Sequence, residues 1–349
     1  MMSANRDTKG VVDISLASDP GGSGSSSGGP EHQQIVPWCD VFDTAVVSSV
    51  ELPALDIPKR PSLIGHWWKE GDLGYVCAAR GVGKTHFSMM LANSVAGQTK
   101  HIGPWDCPGN VRVLYVDGEM PVDDIRDRDR SYLNTGSDSN VHYLNHEVVF
   151  HRSGREINIV DPDFQSELLA YCKSNDVKVV FFDNLSSLAL GMDENNANDW
   201  EKVKPWLLRV RRAGISVVIV HHAGKSGKMR GTSKREDDTF WIIELEDDKD
   251  DSTEGAKFKM RFTKNRNDPG RNQVFSWHLK PQADGNILPE YRKVDPQDDF
   301  LELVKGGITR NKEIAEAMGC RPDKISKMAR KLKDAGRIEI DNGRYFLAK

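Results

Sequence analysis

Three apolar runs, VRVLYVD, VKVVFFD and ISVVIVHH, place the tightest limits on how this chain can fold. Each run has apolar side chains at consecutive positions, so both faces of the strand that it forms are apolar. Helical periodicity fills the intervals between these runs. That alternation is typical of an α/β fold with a mainly parallel sheet and helices on both faces. The predicted parallel strands are Leu73–Ala79, Val111–Asp117, Val177–Asp183 and Ile215–His221.

Helices are expected between these strands, and a different pattern follows them. The predicted helices are Lys84–Ala96, one after Pro121, Asp163–Ser174 and Asn198–Ala213. Beyond His222, three further strands are predicted to be antiparallel, the first two joined by the acidic loop Asp247–Gly255. These late strands are Phe240–Glu246, Lys257–Asn265 and Gln273–Leu279. The sheet is therefore expected to begin parallel and to end in hairpins.

Composition divides the chain into three parts. Residues 1–36 are polar and include the run GGSGSSSGGP, which cannot bury enough apolar surface to become ordered, so they are predicted to be a disordered tail. Residues 37–295 form the α/β core. Residues 297–349 carry 12 basic and 9 acidic residues, whereas the whole chain has a net charge of −4. This local basic excess is consistent with a nucleic-acid contact and equally with a solvated helical surface.

Several classes of protein are excluded by what the sequence lacks. No run reaches the roughly 18 apolar residues that a membrane helix needs, so no membrane association is expected. The first 20 residues contain no apolar stretch of the kind found in secretory signals. The five cysteines are scattered without a C-x-x-C pair, which argues against a structural zinc site and for reduced thiols in the cytoplasm.

The segment Ala78–Thr85 (AARGVGKT) is the strongest chemical signal, because it follows a predicted strand and opens a predicted helix. Glycines let successive backbone N–H groups point at phosphate oxygens, and the helix N-terminus favours the same anion. Lys84 is expected to reach the β- and γ-phosphates of ATP, and Thr85 to ligate Mg²⁺. Ala78 stands where the usual first glycine would be. The predicted nucleotide-binding residues are Ala79, Arg80, Gly81, Val82, Gly83, Lys84, Thr85 and His86.

Two carboxylates and one histidine are candidates to complete this site. Asp183 ends a buried strand, where a Walker B aspartate would hold the hydration shell of the Mg²⁺. Glu119, in the sequence DGEM, is either the residue that polarises the attacking water or a solvated loop glutamate. His221 and His222 end the next strand, where a polar residue could contact the γ-phosphate. Adjacent strand residues point to opposite faces, so a metal shared by the two histidines is not expected.

The last 50 residues predict a separate unit of three helices and a hairpin, and they resemble a winged helix-turn-helix. Asn342-Gly343 marks a tight turn between the two strands. The resemblance makes Asp323–Ala335 the recognition helix, with Lys324, Lys327, Arg330 and Lys331 as its DNA-contacting residues. A protein-docking or purely architectural winged helix is the alternative.

The ordered set GVGKT, DGEM, VVFFDN, VVIVHH and KNRNDP resembles the RecA-like ATPase core of replicative hexameric helicases, the DnaB type and especially the compact plasmid RepA type. The resemblance spans about Pro61–Leu279. It implies that Glu119 is the catalytic glutamate and His222 the γ-phosphate sensor. It also implies that Lys264 and Arg266 reach the nucleotide of a neighbouring subunit in a homo-oligomeric ring. Alternatively, those two residues occupy one exposed strand face.

The stretch 225–234 matches the position of the central-channel DNA loop in that family. Its cations are Lys225, Lys228, Arg230 and Lys234. Such a flexible cationic loop could follow a single-strand backbone, or it could simply be solvated.

These observations predict a Mg²⁺-ATP-hydrolysing hexameric helicase or translocase that acts on single-stranded DNA in the replication of a plasmid, phage or other mobile element. The winged helix would hold the ring to duplex DNA or to an initiator. The alternative is an ATP-switched DNA-binding regulator or initiator that separates no strands. A small-molecule kinase is disfavoured, because the sequence shows neither a lid nor an evident acceptor site.

Overall fold

The structure is a computed structural model that describes residues 37–132, 140–192, 197–222, 234–249, 253–269, 273–318 and 320–348. The tail predicted for residues 1–36 lies outside these ranges. The chain divides into two compact units, before and after Pro61. The described part of the first unit contains the helix α1 (Trp38–Ala45) and a 3₁₀ turn at Leu52–Ala54. In α1, Trp38 and Phe42 lie one turn apart with their rings stacked at 5.6 Å.

The second unit is built on a nine-stranded sheet. The strands of this unit, in chain order, are β1 (Ser62–Ile64), β2 (Trp68–Lys69), β3 (Leu73–Ala78), β4 (His101–Ile102), β5 (Trp105–Asp106), β6 (Arg112–Asp117), β7 (Val141–Asn145), β8 (Val177–Asp183), β9 (Ser216–His222), β10 (Trp241–Asp247), β11 (Ala256–Asn265), β12 (Val274–Pro281), β13 (Ile287–Val294), β14 (Ile338–Asp341) and β15 (Arg344–Leu347). The large sheet has the order β13-β12-β11-β10-β3-β9-β8-β6-β7, and β1-β2, β4-β5 and β14-β15 are separate hairpins.

Helices cover both faces of the sheet, which confirms the predicted α/β class. The helices described in this unit are α2 (Lys84–Asn93), α3 (Val122–Arg130), α4 (His146–Ser153), α5 (Pro162–Ser174), α6 (Leu185–Leu188), α7 (Ala197–Trp200), α8 (Lys204–Arg212), α9 (Lys234–Asp237), α10 (Pro296–Lys305), α11 (Asn311–Ala317) and α12 (Pro322–Asp334). One apolar core contains residues of α2 and the other contains residues of α5 and α8. No described helix is long and apolar enough to cross a bilayer.

The strand pairing is parallel from β10 through β3, β9, β8 and β6 to β7, and antiparallel from β10 to β13. The parallel strands predicted from apolar runs agree with the structure to within one residue at each end. The prediction for β10 was only half right, since this strand is antiparallel to β11 but parallel to β3. It therefore joins the parallel part of the sheet to its hairpins.

The sequence predicted one continuous helix over Asn198–Ala213, and this prediction is wrong. The structure has two helices, α7 and α8, separated by the turn at residues 201–203. Pro205 lies in the first turn of α8. A proline has no N–H to donate and its ring clashes with the carbonyl four residues earlier, so the helix must restart there.

Aromatic rings pack closely around Trp241 of β10, which is paired with β3 at the centre of the sheet. The ring centroid of Trp241 on β10 lies 5.1 Å from that of Trp67 and 5.2 Å from that of Trp68. All three side chains are fully buried. Gly74 on β3 leaves room for Trp241, because a Cβ at this position would lie 2.1 Å from the indole.

The C-terminal helices α10–α12 and the hairpin β14-β15 pack around an apolar cluster of their own that includes Phe300, Ile325 and Leu332. Asn342 and Gly343 have φ angles of 47° and 71° and connect the paired residues Asp341 and Arg344. The backbone twist of such a two-residue turn matches the twist of the two strands that it joins, and Asn-Gly is its preferred sequence. The helices and the hairpin expected in this region are therefore present.

Candidate active site

The site lies where β3, β6, β8 and β9 end, at one edge of the parallel sheet. Ligands bind at this edge in open α/β sheets because the loops after the strands converge there. A pocket of about 460 Å³ opens at this point. It is lined by Arg80, Gly81, Gly83, Lys84, Thr85, His86, Glu119, Met120, Arg128, Asp183, Asn184, His222, Lys249, Gly255 and Ala256.

The phosphate loop has the backbone that its glycines predict. Gly81 and Gly83 have φ angles of 79° and 119°, which disfavour any residue with a Cβ. At Gly83 a Cβ would also lie 2.8 Å from the Cβ of Ala256. The Lys84 ammonium donates hydrogen bonds to the carbonyls of Ala78 at 3.1 Å and Ala79 at 2.8 Å. The loop thus curls around its own lysine at the start of α2.

The Lys84 side chain is buried, and this burial lowers its pKa. The negative charges of Asp183 and Glu119 act in the opposite direction. The site therefore holds one partly desolvated cation close to two carboxylates.

Asp183 meets the requirements of a residue that holds Mg²⁺. It is 3% exposed and accepts a hydrogen bond from the Tyr115 hydroxyl at 2.7 Å. The Thr85 hydroxyl also donates to it, and burial raises its pKa. A buried carboxylate beside a hydroxyl offers the hard oxygen donors that Mg²⁺ prefers, and a divalent cation would supply the missing positive charge. The described residues contain no cluster of three or more His, Cys, Asp or Glu side chains able to hold a metal.

Glu119 is held at the pocket by its own loop. The Asp117 carboxylate accepts hydrogen bonds from the backbone N–H groups of Glu119 at 3.2 Å and Met120 at 3.0 Å. The Asn145 amide donates to the same carboxylate at 3.1 Å. The Asn184 side chain donates to the Glu119 carboxylate. These contacts fix a glutamate whose side chain is still 58% exposed and so accessible to water.

His222 lies beside this glutamate. Its Nε2 atom is 3.9 Å from a carboxylate oxygen of Glu119. His221, its neighbour on β9, is fully buried instead. The two histidines therefore occupy different environments.

Sequence reasoning missed Tyr115, Asp117, Asn145 and Asn184. Asp117 and Asn184 are inside the segments already singled out as DGEM and VVFFDN, but only the order of strands shows their roles. β6 and β8 are neighbours, and their register pairs Asp117 with Asp183. That pairing contributes, after burial, to raising the pKa of Asp117 to about 7.

Cations dominate the rest of the pocket. His86 contacts the Tyr132 hydroxyl at 3.0 Å, and burial lowers its pKa to about 4, with further contributions from Arg128 and Lys249. Arg80, Lys84, Arg128 and Lys249 line the pocket together with the carboxylates of Glu119 and Asp183. This excess of positive charge matches the charge of about −2 carried by a magnesium nucleoside triphosphate.

Lys264 and Arg266 lie at the other edge of the sheet. Lys264 pairs with Ile242, which pairs with Tyr75 near the beginning of β3, whereas the phosphate loop follows the end of β3. The Lys264 ammonium donates to the carbonyl of Glu236 and the Arg266 guanidinium to that of Asp237. Burial and the neighbouring Arg266 both lower the pKa of Lys264. Neither residue lines the pocket of its own chain.

The predicted DNA contacts fall in two regions. Lys225, Lys228 and Arg230 lie outside the described residues, and Lys234 begins α9. On α12, the cations Lys324, Lys327, Arg330 and Lys331 are all exposed, on the side away from the buried Ile325, Ala329 and Leu332. The candidate recognition helix therefore presents a basic surface.

The chain was compared with protein families, curated sequences and solved structures. The sequence profile described as the AAA domain matches residues 42–228. Among solved structures, a KaiC-like protein of Pyrococcus horikoshii OT3 matches with 17% identity and a TM-score of 0.46 over 66% of this chain and 99% of that one. The flagellar accessory protein FlaH of Methanocaldococcus jannaschii matches with 14% identity and a TM-score of 0.42 over 63% of this chain and 90% of that one. No curated protein sequence gives a significant match.

Proposed function

Because the chain belongs to the AAA domain family and has the site of a P-loop ATPase, we propose that it is a ring-forming, Mg²⁺-ATP-hydrolysing translocase that acts on single-stranded DNA as a helicase. Its setting would be the replication of a plasmid, phage or other mobile element, as the resemblance of its sequence to hexameric helicases implies. The proposal has three parts, which are the chemistry within one subunit, the contribution of the neighbouring subunit and the contact with DNA.

Within one subunit, Glu119 would orient the attacking water and accept its proton. The loop held by Asp117 and the contact from Asn184 keep the Glu119 carboxylate at the pocket. Lys84 would neutralise the phosphates, and His222, 3.9 Å from Glu119, would register whether the γ-phosphate is present. Mg²⁺, held through Thr85 and Asp183, would supply positive charge to the phosphate oxygens during transfer.

The position of Lys264 and Arg266 is the observation that best supports the assembly of the subunits into a ring. They lie on the sheet edge away from their own phosphate loop, about 10 Å along β3 from its end at a rise of about 3.3 Å per residue. In a head-to-tail ring, one face of each subunit meets a different face of the next. Cations on the far edge can therefore serve the nucleotide of a neighbour, where they would stabilise the charge that develops on the phosphoryl group.

A mixing experiment tests this arrangement. Glu119→Gln retains the cations but lacks the base, whereas Arg266→Ala retains the base but lacks a cation. Each variant alone should hydrolyse ATP at least about 100-fold more slowly than the unmodified protein. If the cations act in trans, a 1:1 mixture regains activity because about a quarter of the interfaces pair an intact Glu119 with an intact Arg266. A mixture no more active than its components would reject the ring.

The contact with DNA has its own test. Hydrolysis should rise with single-stranded DNA, and a forked duplex should be separated in the presence of ATP. Lys225→Ala and Arg230→Ala should remove the stimulation by DNA and leave the basal rate unchanged.

The second candidate function is an ATP-switched DNA-binding regulator or initiator. The exposed cations of α12 favour it, since a winged helix with a basic recognition helix is suited to duplex DNA. Hydrolysis that ignores single strands, together with ATP-dependent binding to duplex DNA and no strand separation, would favour this function over the helicase.

A further inference from the structure

Lys249 is the one lysine in the acidic stretch 246–254, and its side chain turns into the nucleotide pocket. The surrounding acidic residues are Glu246, Asp247, Asp248, Asp250, Asp251 and Glu254. The Lys249 ammonium donates a hydrogen bond to the Gly81 carbonyl of the phosphate loop at 3.2 Å, although 168 residues separate the two in sequence. It also lines the pocket, and its charge contributes to lowering the pKa of His86.

The backbone of this lysine and of the residue before it is anchored. The Lys249 N–H donates to the Asp247 carboxylate at 3.3 Å. Asp248 accepts from the Ser276 hydroxyl at 2.9 Å, and its own N–H donates to the Lys257 carbonyl at 3.3 Å. These contacts tie the start of the loop to β11 and β12. A backbone anchored in this way loses less freedom when the lysine binds a ligand.

The chemistry of the contact points to a phosphate chain. A lysine ammonium has three donors, of which the Gly81 carbonyl takes one. That carbonyl belongs to the loop whose N–H groups are arranged for phosphate oxygens. Lys249 also faces a pocket that is rich in positive charge. Such crowding of cations is stabilised by an anionic ligand.

We propose that Lys249 is a phosphate-binding residue supplied by the same subunit, which contacts the phosphate chain of a nucleoside di- or triphosphate in addition to Lys84. The proposal deepens the nucleotide site and rests on the proposed ATPase function. It also gives the acidic hairpin between β10 and β11 a role, which is to deliver one cation over the phosphate loop. Lys249 acts in cis, whereas Lys264 and Arg266 would act on a neighbour.

The test measures the binding of MgATP and MgADP to the full chain by isothermal titration. Lys249→Ala should raise both dissociation constants about tenfold or more, because a charge-assisted hydrogen bond is lost. Lys249→Arg should restore most of the affinity, and Lys249→Glu should weaken binding further. Lys257→Ala, which removes a lysine of β11 that does not line the pocket, is the matched control.

The outcomes separate this inference from the proposed function. If Lys84→Ala abolishes binding while Lys249→Ala binds like the unmodified protein, the role of Lys249 is rejected and the ATPase site stands. Tighter binding by Lys249→Ala would also reject it, because the lysine would then be a plug that competes with the ligand. If the unmodified chain binds no nucleotide, the proposed function and this inference fail together.

Discussion

Tyr115 donates its hydroxyl proton to Asp183 at 2.7 Å inside the sheet, and burial keeps the tyrosine pKa well above its ordinary value. Tyr115→Phe leaves the packing almost unchanged but removes the donor from a buried carboxylate. We expect the free energy of unfolding to fall by about 1.5–3 kcal/mol. We also expect ATP hydrolysis to require a different Mg²⁺ concentration, because Asp183 is a proposed Mg²⁺ residue.

Tyr143→Phe is the control for that measurement. The Tyr143 hydroxyl donates to Asp129 at 2.6 Å and does not line the pocket. This variant should lose stability in urea unfolding without a change in its Mg²⁺ dependence. An equal shift of the Mg²⁺ dependence in both variants would contradict a specific role for Tyr115.

Asp117 predicts a dependence of stability on pH. Burial and the nearby Asp183 raise its pKa to about 7 in the folded chain, so between about pH 4 and pH 7 the folded state binds more protons than the unfolded state. The contribution of this residue to stability is therefore present at low pH and is lost as the pH rises, by up to about 1.4 kcal/mol per pH unit. Asp117→Asn lacks this contribution. Urea unfolding of both proteins between pH 4 and pH 7, without nucleotide or Mg²⁺, should show the stability difference changing with pH, and parallel curves would contradict the shift.

At the scale of elements, the contact between β3 and β10 depends on Gly74. A Cβ at this position would lie 2.1 Å from the Trp241 indole, in a core that cannot move aside. Gly74→Ala should destabilise the protein by about 3 kcal/mol or more. Because the clash involves the six-membered ring of the indole, Trp241→Phe should relieve part of it. The double variant should therefore be more stable than the sum of the two single effects predicts, as measured by chemical denaturation. Strict additivity would contradict the packing described.

The sequence predicted elements whose signal is local. β3, β6, β8 and β9 were located to within one residue because they are apolar on both faces, and the phosphate loop was located because its glycines, lysine and threonine are contiguous. β13 was missed because it is mostly exposed and lacks an apolar run, and β7 because only its ends are buried. The partners of Asp183 and Glu119 could not be predicted, since they depend on which strands are neighbours in the sheet. Lys249 was hidden in the same way, within a loop whose sequence suggests only a solvated turn.

Across the whole molecule, Lys259 ties the C-terminal helices to the sheet. From β11 its ammonium contacts Asp299 of α10 at 2.8 Å and lies 3.9 Å from both Asp248 and Glu302. Lys259→Met should leave these carboxylates without their shared cation and loosen α10 from the sheet. Hydrogen exchange should then accelerate in residues 296–348 more than in the core. Lys257→Met, on the same strand, is the control, and uniform protection in both variants would contradict the role of Lys259.

Lys264 and Arg266 lie on the sheet edge away from their own phosphate loop. This placement has a consequence for how activity depends on the amount of protein present. If each pocket depends on a neighbour, a solitary copy can bind ATP but hydrolyses it poorly, and the specific activity climbs with the protein concentration. The protein would then hydrolyse little ATP at low protein concentration, and hydrolysis would begin once the concentration is high enough for subunits to associate. Abundance would serve as the switch, with no separate inhibitor required.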